Sequence, residues 1–221
     1  MNYTSLEAWQ ETLYPLGLIS TVFFGIRFFF QLWASEKRGR SVVTNSFWHC
    51  SILGNATLAL HAAIQLQLPI AILQGLQLVL AKRNLEIAAP NKPSLYRLVI
   101  PTLLILGALL VIFFAFSGSE LEWMRIPATP WSKGEIAPPL LLEILGIIGI
   151  FLFSSRFFFQ WWEAEKLGES HLSANFWGIT LMGAFLSSLY FIYCLDIVNL
   201  LGPLFGSLGA ARNFILSRRT K

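Results

Sequence analysis

One string occurs twice in this chain, and that duplication limits its fold more than anything else. Gly-Ile-Arg-Phe-Phe-Phe-Gln-Leu-Trp fills 25–33, and Ser-Ser-Arg-Phe-Phe-Phe-Gln-Trp-Trp fills 154–162. The shift of 129 positions, from Arg27 to Arg156, persists without a gap well beyond the string. Glu36, Lys37, Gly39, Ser41, Phe47, Trp48, Gly54, Arg83 and Asn84 return as Glu165, Lys166, Gly168, Ser170, Phe176, Trp177, Gly183, Arg212 and Asn213. Apolar composition alone does not match charges, amides and glycines in register. The chain is therefore two copies of one unit, and each structural role is expected twice.

The copies are built from apolar blocks long enough to cross a bilayer. Hydrophobic residues make up 55% of the 221 positions and charged ones 13%, against roughly 25% charged in soluble domains. A spanning helix needs about 20 apolar residues, and seven blocks meet or approach that length: about 16–34, 46–65, 68–82, 97–116, 140–162, 175–194 and 197–215. The third carries Gln74 and Gln77, and the seventh Gly202, Gly206 and Gly209; small residues are tolerated where membrane helices approach closely. The stretches between blocks leave no room for a kinase or nucleotide-sugar-binding domain, which would need at least about 50 residues. The first fifteen residues carry Glu7 and Glu11 but no Lys or Arg, unlike the basic start of a secretory signal. Cys50 and Cys194 fall inside apolar blocks near opposite faces, so two small buried hydrophobes are expected rather than a disulfide.

The basic residues set an orientation. With the N-terminus outside, Lys37, Arg38, Arg40, Lys82, Arg83, Lys92, Arg97, Lys166, Arg212, Arg218, Arg219 and Lys221 are cytoplasmic, against Arg125 and Lys133 opposite. That is a strong positive-inside bias. It predicts a multi-pass inner-membrane protein with a cytoplasmic C-terminus. Trp9, Tyr14, Trp123 and Trp131 then mark the outer interface, and Trp33, Trp161 and Trp162 the inner one. The net charge of +4 reflects topology and contact with anionic membrane lipids; no nucleic-acid partner is expected.

Each copy holds three spans, an odd number, so directly joined copies would point opposite ways. The block between them, Leu98 to Phe116, has no charge and only Thr102 as a polar residue. It restores a parallel arrangement about a pseudo-twofold along the membrane normal, as in SWEET transporters. The expected fold is all-α integral membrane: seven transmembrane helices, 3+1+3, two parallel three-helix-bundle repeats. Residues 1–85 form the first repeat, 86–139 the connector helix and outer loop, and 140–221 the second repeat with a cytoplasmic tail.

The string Arg-Phe-Phe-Phe-Gln-x-Trp, followed by Glu-Lys, Ser, Phe-Trp, Gly and a closing Arg-Asn, resembles the lipid A biosynthesis N-terminal domain family, grouped with SWEET and PQ-loop membrane proteins. The resemblance covers roughly 16–85 and 145–214. It implies a bacterial inner-membrane protein of lipid A or lipid-linked saccharide metabolism. It also implies association with lipid-A-disaccharide synthase, a glycosyltransferase whose own domain is expected to lie outside these residues. The chain departs from the PQ-loop pattern in having no Pro-Gln dipeptide, and Gln74 aligns with Pro203.

Several polar residues inside the blocks are candidates for a site. Arg27 and Gln31 are four apart and share a helix face, as do Arg156 and Gln160. A charge within a membrane helix by default faces a functional interior, and two guanidiniums brought together by the pseudo-twofold would suit a phosphate. The alternative is that each Arg snorkels to the cytoplasmic interface beside Glu36 or Glu165. Trp48 and Trp177 could stack on a sugar or anchor at the interface. Asn84 and Asn213 either line the cavity or close their helices. These eight form the expected substrate-binding set.

Asn55, His61, Gln65, Gln74 and Gln77 make the first copy the more polar, which suits an asymmetric headgroup-plus-tail ligand or simply interhelical hydrogen bonds. Glu143 and Asp196 read as interfacial, and the Glu36/Glu165 pair as a solvated loop face. No catalytic motif, metal site or cofactor is expected. The candidate partners are membrane lipids, a phosphate-bearing glycolipid, a glycosyltransferase and a second copy of the chain. A soluble-sugar transporter is the remaining alternative.

Overall fold

The computed structural model describes residues 3–87, 89, 91, 93–117, 123 and 138–219. Lys92, Arg125, Trp131, Lys133 and Lys221, which entered the charge and interface reading, lie outside the described residues. The long regular elements among the described residues are helices: α1 (Tyr3–Leu13), α2 (Pro15–Arg38), α3 (Asn45–Ile64), α4 (Leu68–Ile87), α5 (Val99–Phe116), α6 (Leu140–Leu167), α7 (Ala174–Tyr193) and α8 (Ile197–Arg219). A single 3₁₀ turn, Leu95–Leu98, leads into α5. Every expected block is a helix, and α4 and α8 each run four or more residues beyond their expected ends. The short α1 was not foreseen.

The same punctuation ends the helices in both copies. Gly39 closes α2 at φ 64° and Gly168 closes α6 at φ 72°, a left-handed geometry that glycine adopts without a Cβ penalty. The side chain of Thr44 accepts from the Phe47 N–H at the start of α3, and Ser173 accepts from the Phe176 N–H at the start of α7, each satisfying a donor the helix leaves free. Leu66 and Leu195 occupy matching left-handed positions in the turns that follow. The duplication thus extends to backbone conformation.

The two units close into a ring. In each copy consecutive helices pack side by side, α2 on α3 on α4 and α6 on α7 on α8, and the copies meet along two seams, α4–α6 and α2–α8. Each seam joins the third helix of one copy to the first helix of the other. Helix α5 lies outside the ring against α3 and α4. Ser41, between α2 and α3, donates to the Leu172 carbonyl between α6 and α7, so the corresponding loops of both copies lie at one end.

Among the described residues, four helical stretches are long and apolar enough to cross a membrane: Glu7–Arg38, Val99–Phe116, Leu140–Leu167 and Ala174–Tyr193. The other three, α3, α4 and α8, are less apolar because polar residues such as Asn55, His61, Gln77 and Asn213 are buried within the protein. Outward faces are apolar, as at Val22, Leu103, Leu104, Val111, Ile147 and Phe151, all more than half exposed.

Candidate functional site

Six helices enclose a cavity of about 50 Å³ on the axis of the ring. Arg27 of α2 and Arg156 of α6 both line it, together with Ser154, Gln74, Gln77 and Asn199. The two arginines are 3% and 1% exposed, which removes the alternative of snorkelling to an interface. Neither has a carboxylate within ion-pair distance among the described residues. Arg27 donates from Nη1 to Ser51 Oγ at 3.1 Å, while its Nε has no partner. Arg156 leaves both Nε and Nη1 without one.

What surrounds the guanidiniums is aromatic. Arg27 lies 4.3 Å from the Phe24 ring and 5.3 Å from Phe157; Arg156 lies 3.4 Å from Phe153 and 4.6 Å from Phe157. Phe157 is thus shared by both cations. Cation–π contacts contribute about 0.5–2 kcal/mol each, whereas an uncompensated buried charge costs several kcal/mol. The arrangement favours an anion in the cavity, with fork-shaped donors suited to phosphate or carboxylate oxygens.

The glutamines predicted to share this face do something else. Gln31 and Asn213 exchange two hydrogen bonds at 2.8 and 3.0 Å, and Asn84 and Gln160 do the same at 3.0 and 2.6 Å. All four are completely buried. Each pair joins the first helix of one copy to the third helix of the other, so the copies are stapled twice at pseudo-equivalent points. Trp48 Nε1 donates to Ser170 Oγ and Trp177 Nε1 to Ser41 Oγ; both indoles are buried, which corrects the reading of interfacial anchors. Arg83 pairs with Glu165 and Arg212 with Glu36, again across copies.

The eight expected residues are thus divided. Arg27 and Arg156 line the central cavity, and the four amides seal one end of it. Trp48 and Asn84 also border a separate pocket of about 470 Å³ near Glu169 and Ser170. Of the pair read as a solvated face, Glu36 is exposed and meets Arg212 at the surface, whereas Glu165 is held by Arg83 and by Trp161 Nε1. Their sequence neighbours, Lys37 and Lys166, instead lie over Trp33 and Trp162.

At the opposite end sequence reasoning missed a cluster. Asp196, read as interfacial, is 3% exposed. Its carboxylate accepts from Gln67 Nε2 at 3.0 Å, from Asn199 Nδ2 at 2.8 Å and from the Asn199 N–H at 3.1 Å. Burial pushes the Asp196 carboxyl above its ordinary range, and the Asn199 and Gln67 donors pull it back. Gln67 and Asp196 are 129 apart, so the signal was present in the repeat register. Tyr14, expected at the interface, is also buried, edge-on to His61 at 5.3 Å.

With this geometry in hand, comparison with known proteins identifies the duplicated unit. A family described as lipid A biosynthesis N-terminal domain matches residues 16–86 and again 145–215. The chain belongs to that family. It is 36% identical over 209 residues to a lipid-A-disaccharide synthase of Chlamydia felis, covering 93% of this chain and 33% of the relative. Over 194 residues it is 41% identical to the lipid-A-disaccharide synthase of Chlamydia caviae, covering 86% of this chain and 31% of the relative. The chain spans about a third of the length of these relatives. No solved structure matches it. Within the family pattern, the doubled Arg-Phe-Phe-Phe-Gln string supplies both cavity arginines and one amide of each staple.

Proposed function

We propose that the chain is an inner-membrane module that binds, and passes across or along the bilayer, a phosphate-bearing lipid-linked saccharide of lipid A metabolism. Its seven long helices would span the bilayer in the 3+1+3 order, N-terminus outside and C-terminus cytoplasmic, with two parallel repeats about a SWEET-like axis. The observation that carries this reading is the pair of buried guanidiniums, Arg27 and Arg156, lining one cavity with no acidic partner among the described residues. The family and the names of the relatives supply the ligand class.

Charged hydrogen bonds contribute about 1.5–3 kcal/mol each, so losing one arginine should weaken phosphate binding about ten- to hundredfold. Native mass spectrometry of gently solubilised protein tests this. Wild type should retain a phosphoglycolipid that the Arg27→Ala/Arg156→Ala protein loses. Equal retention by both would overturn the reading.

A second reading rests on the relatives, each about three times the length of this chain and named for a glycosyltransferase. In it the helices recruit such an enzyme to the membrane. Exposed Arg38 and Arg40 would then matter for co-purification, and the cavity arginines would not.

A further inference from the structure

We propose that the cavity opens sideways into the bilayer between α2 and α8, and that the acyl chains of an anionic lipid ligand lie in this seam. This rests on the reading that Arg27 and Arg156 receive a lipid phosphate. A cavity of about 50 Å³ has room for a few water-sized groups, each needing at least about 10–15 Å³. A phosphate's oxygens can enter; hydrocarbon tails cannot. A bound lipid must therefore leave its chains outside the ring, and one of the two seams between copies has to let them pass.

The seams are pseudo-equivalent, but their side chains differ. At α4–α6 the cavity wall is filled by Gln74 and Gln77 on α4 and by Ser154 on α6. Helix α5 backs this side: Ile105 and Leu109 pack so closely on Gly75 that a Cβ there would collide with them. At α2–α8 the counterparts of Gln74, Gln77 and Ser154 are Pro203, Gly206 and Gly25. Gly202 itself lines the cavity. A Cβ added at Gly25 or at Gly202 would meet nothing within 4 Å.

So the wall is thinnest at the level of Gly25 and Gly202, while at Gly206 the rings of Phe153 and Phe28 take up the space. Pro203 lacks an N–H and so cannot bond the Asn199 carbonyl, which loosens α8 at this level. Further along the seam Phe28 packs toward Gly206 and Gly209, closing it near the Gln31–Asn213 staple. The flanking exposed residues are apolar, including Val22, Ile26, Leu204 and Phe205. The seam therefore joins an anion-binding interior to an apolar exterior, as a lipid with a phosphate head requires. The unpartnered Nε and Nη1 of Arg156 point to the anionic end of that ligand.

The test uses the whole chain in detergent, with dioleoyl phosphatidic acid and sn-glycerol 3-phosphate as probes. Gly25→Leu and the bulkier Gly25→Phe fill the seam at a position that has space for a side chain and is not part of the cavity lining. Gly107→Leu on α5, which also has open space, is the control. Each seam variant should weaken phosphatidic acid binding at least tenfold, leave glycerol phosphate binding within about twofold of wild type, and differ from the control. Unchanged phosphatidic acid affinity in both, with dependence on Arg27 and Arg156 retained, would overturn the lateral opening while leaving the phosphate site standing. Equal loss of both probes would also overturn it, because Gly25 would then support the cavity rather than a path for tails. Phosphatidic acid binding unaffected by Arg27→Ala/Arg156→Ala would instead remove the phosphate reading beneath it.

Discussion

Arg27 and Arg156 show how one residue can be correct by type and altered by its surroundings. Both stood out in the sequence because a charge inside an apolar helix is costly. Their aromatic cradle, and Phe157 between them, follow from packing of two copies that no linear pattern displays. Asp196 is the acidic counterpart at the other end of the ring, and it permits a pH prediction. Its carboxyl is raised by burial, whereas in the unfolded chain it titrates near about 3.9. A raised carboxyl contributes stability below about pH 4 that is lost as the pH climbs through the folded-state value. The titratable groups coupled to it, Tyr14, Tyr190 and Cys194, ordinarily ionise above about pH 8. Thermal melts of wild type and Asp196→Asn should therefore diverge between about pH 4 and 8, with wild type falling relative to the variant. Parallel curves across that range would show that the donors from Gln67 and Asn199 fully offset burial.

At the scale of elements, the two amide staples and the two crossed ion pairs hold copy to copy. Removing one member of a buried amide pair leaves the other unsatisfied, at about 1–3 kcal/mol, while removing both costs less. Gln31→Leu and Asn213→Leu should each destabilise the protein, and the double variant should be less damaged than their sum. A coupling of about 0.5–3 kcal/mol is expected from chemical denaturation, and strict additivity would contradict the staple. The ion pairs should be unequal despite their symmetry. Glu36 and Arg212 are each more than two-fifths exposed, whereas Arg83 is 2% exposed where it meets Glu165. Exposed pairs contribute about 0–1 kcal/mol, so Glu165→Gln should lower the melting temperature more than Glu36→Gln. The long helices were legible as apolar blocks because those depend on local chemistry. Partner choice was not. Arg27 and Gln31 share a helix face, yet a ring interior offers different neighbours at successive levels, so one reaches the cavity and the other an amide of the opposite copy. Glu165 looked solvated because it precedes a lysine, but side chains one apart on a helix point in different directions. The short α1 escaped notice because its sequence alternates small, polar and apolar residues without a long apolar run.

For the whole molecule, the proposed parallel arrangement of the copies and the charge distribution give the last prediction. The hydrogen bond from Ser41 to Leu172 places the α2–α3 and α6–α7 loops side by side. Lys37 and Arg38 at the end of α2, Arg40 in its loop and Lys166 at the end of α6 lie beside them, so both should face the side that retains positive charge. The α1–α2 junction lies at the far end of α2, which at 24 residues and a rise of about 1.5 Å each is about 36 Å long, enough to cross a hydrocarbon core of about 30 Å. In a background lacking Cys50 and Cys194, single cysteines at the exposed positions Arg40, Glu169 and Glu11 report the topology to a membrane-impermeant maleimide. Intact cells should label Glu11→Cys alone, and inverted vesicles Arg40→Cys and Glu169→Cys alone. Labelling of Arg40→Cys and Glu169→Cys from opposite sides would break the parallel arrangement, and with it the shared cavity that brings two arginines to one ligand. Labelling of both from outside would keep the ring but reverse its orientation, so that the staples close the outer face and any lipid reaches Arg27 and Arg156 from the cytoplasmic leaflet.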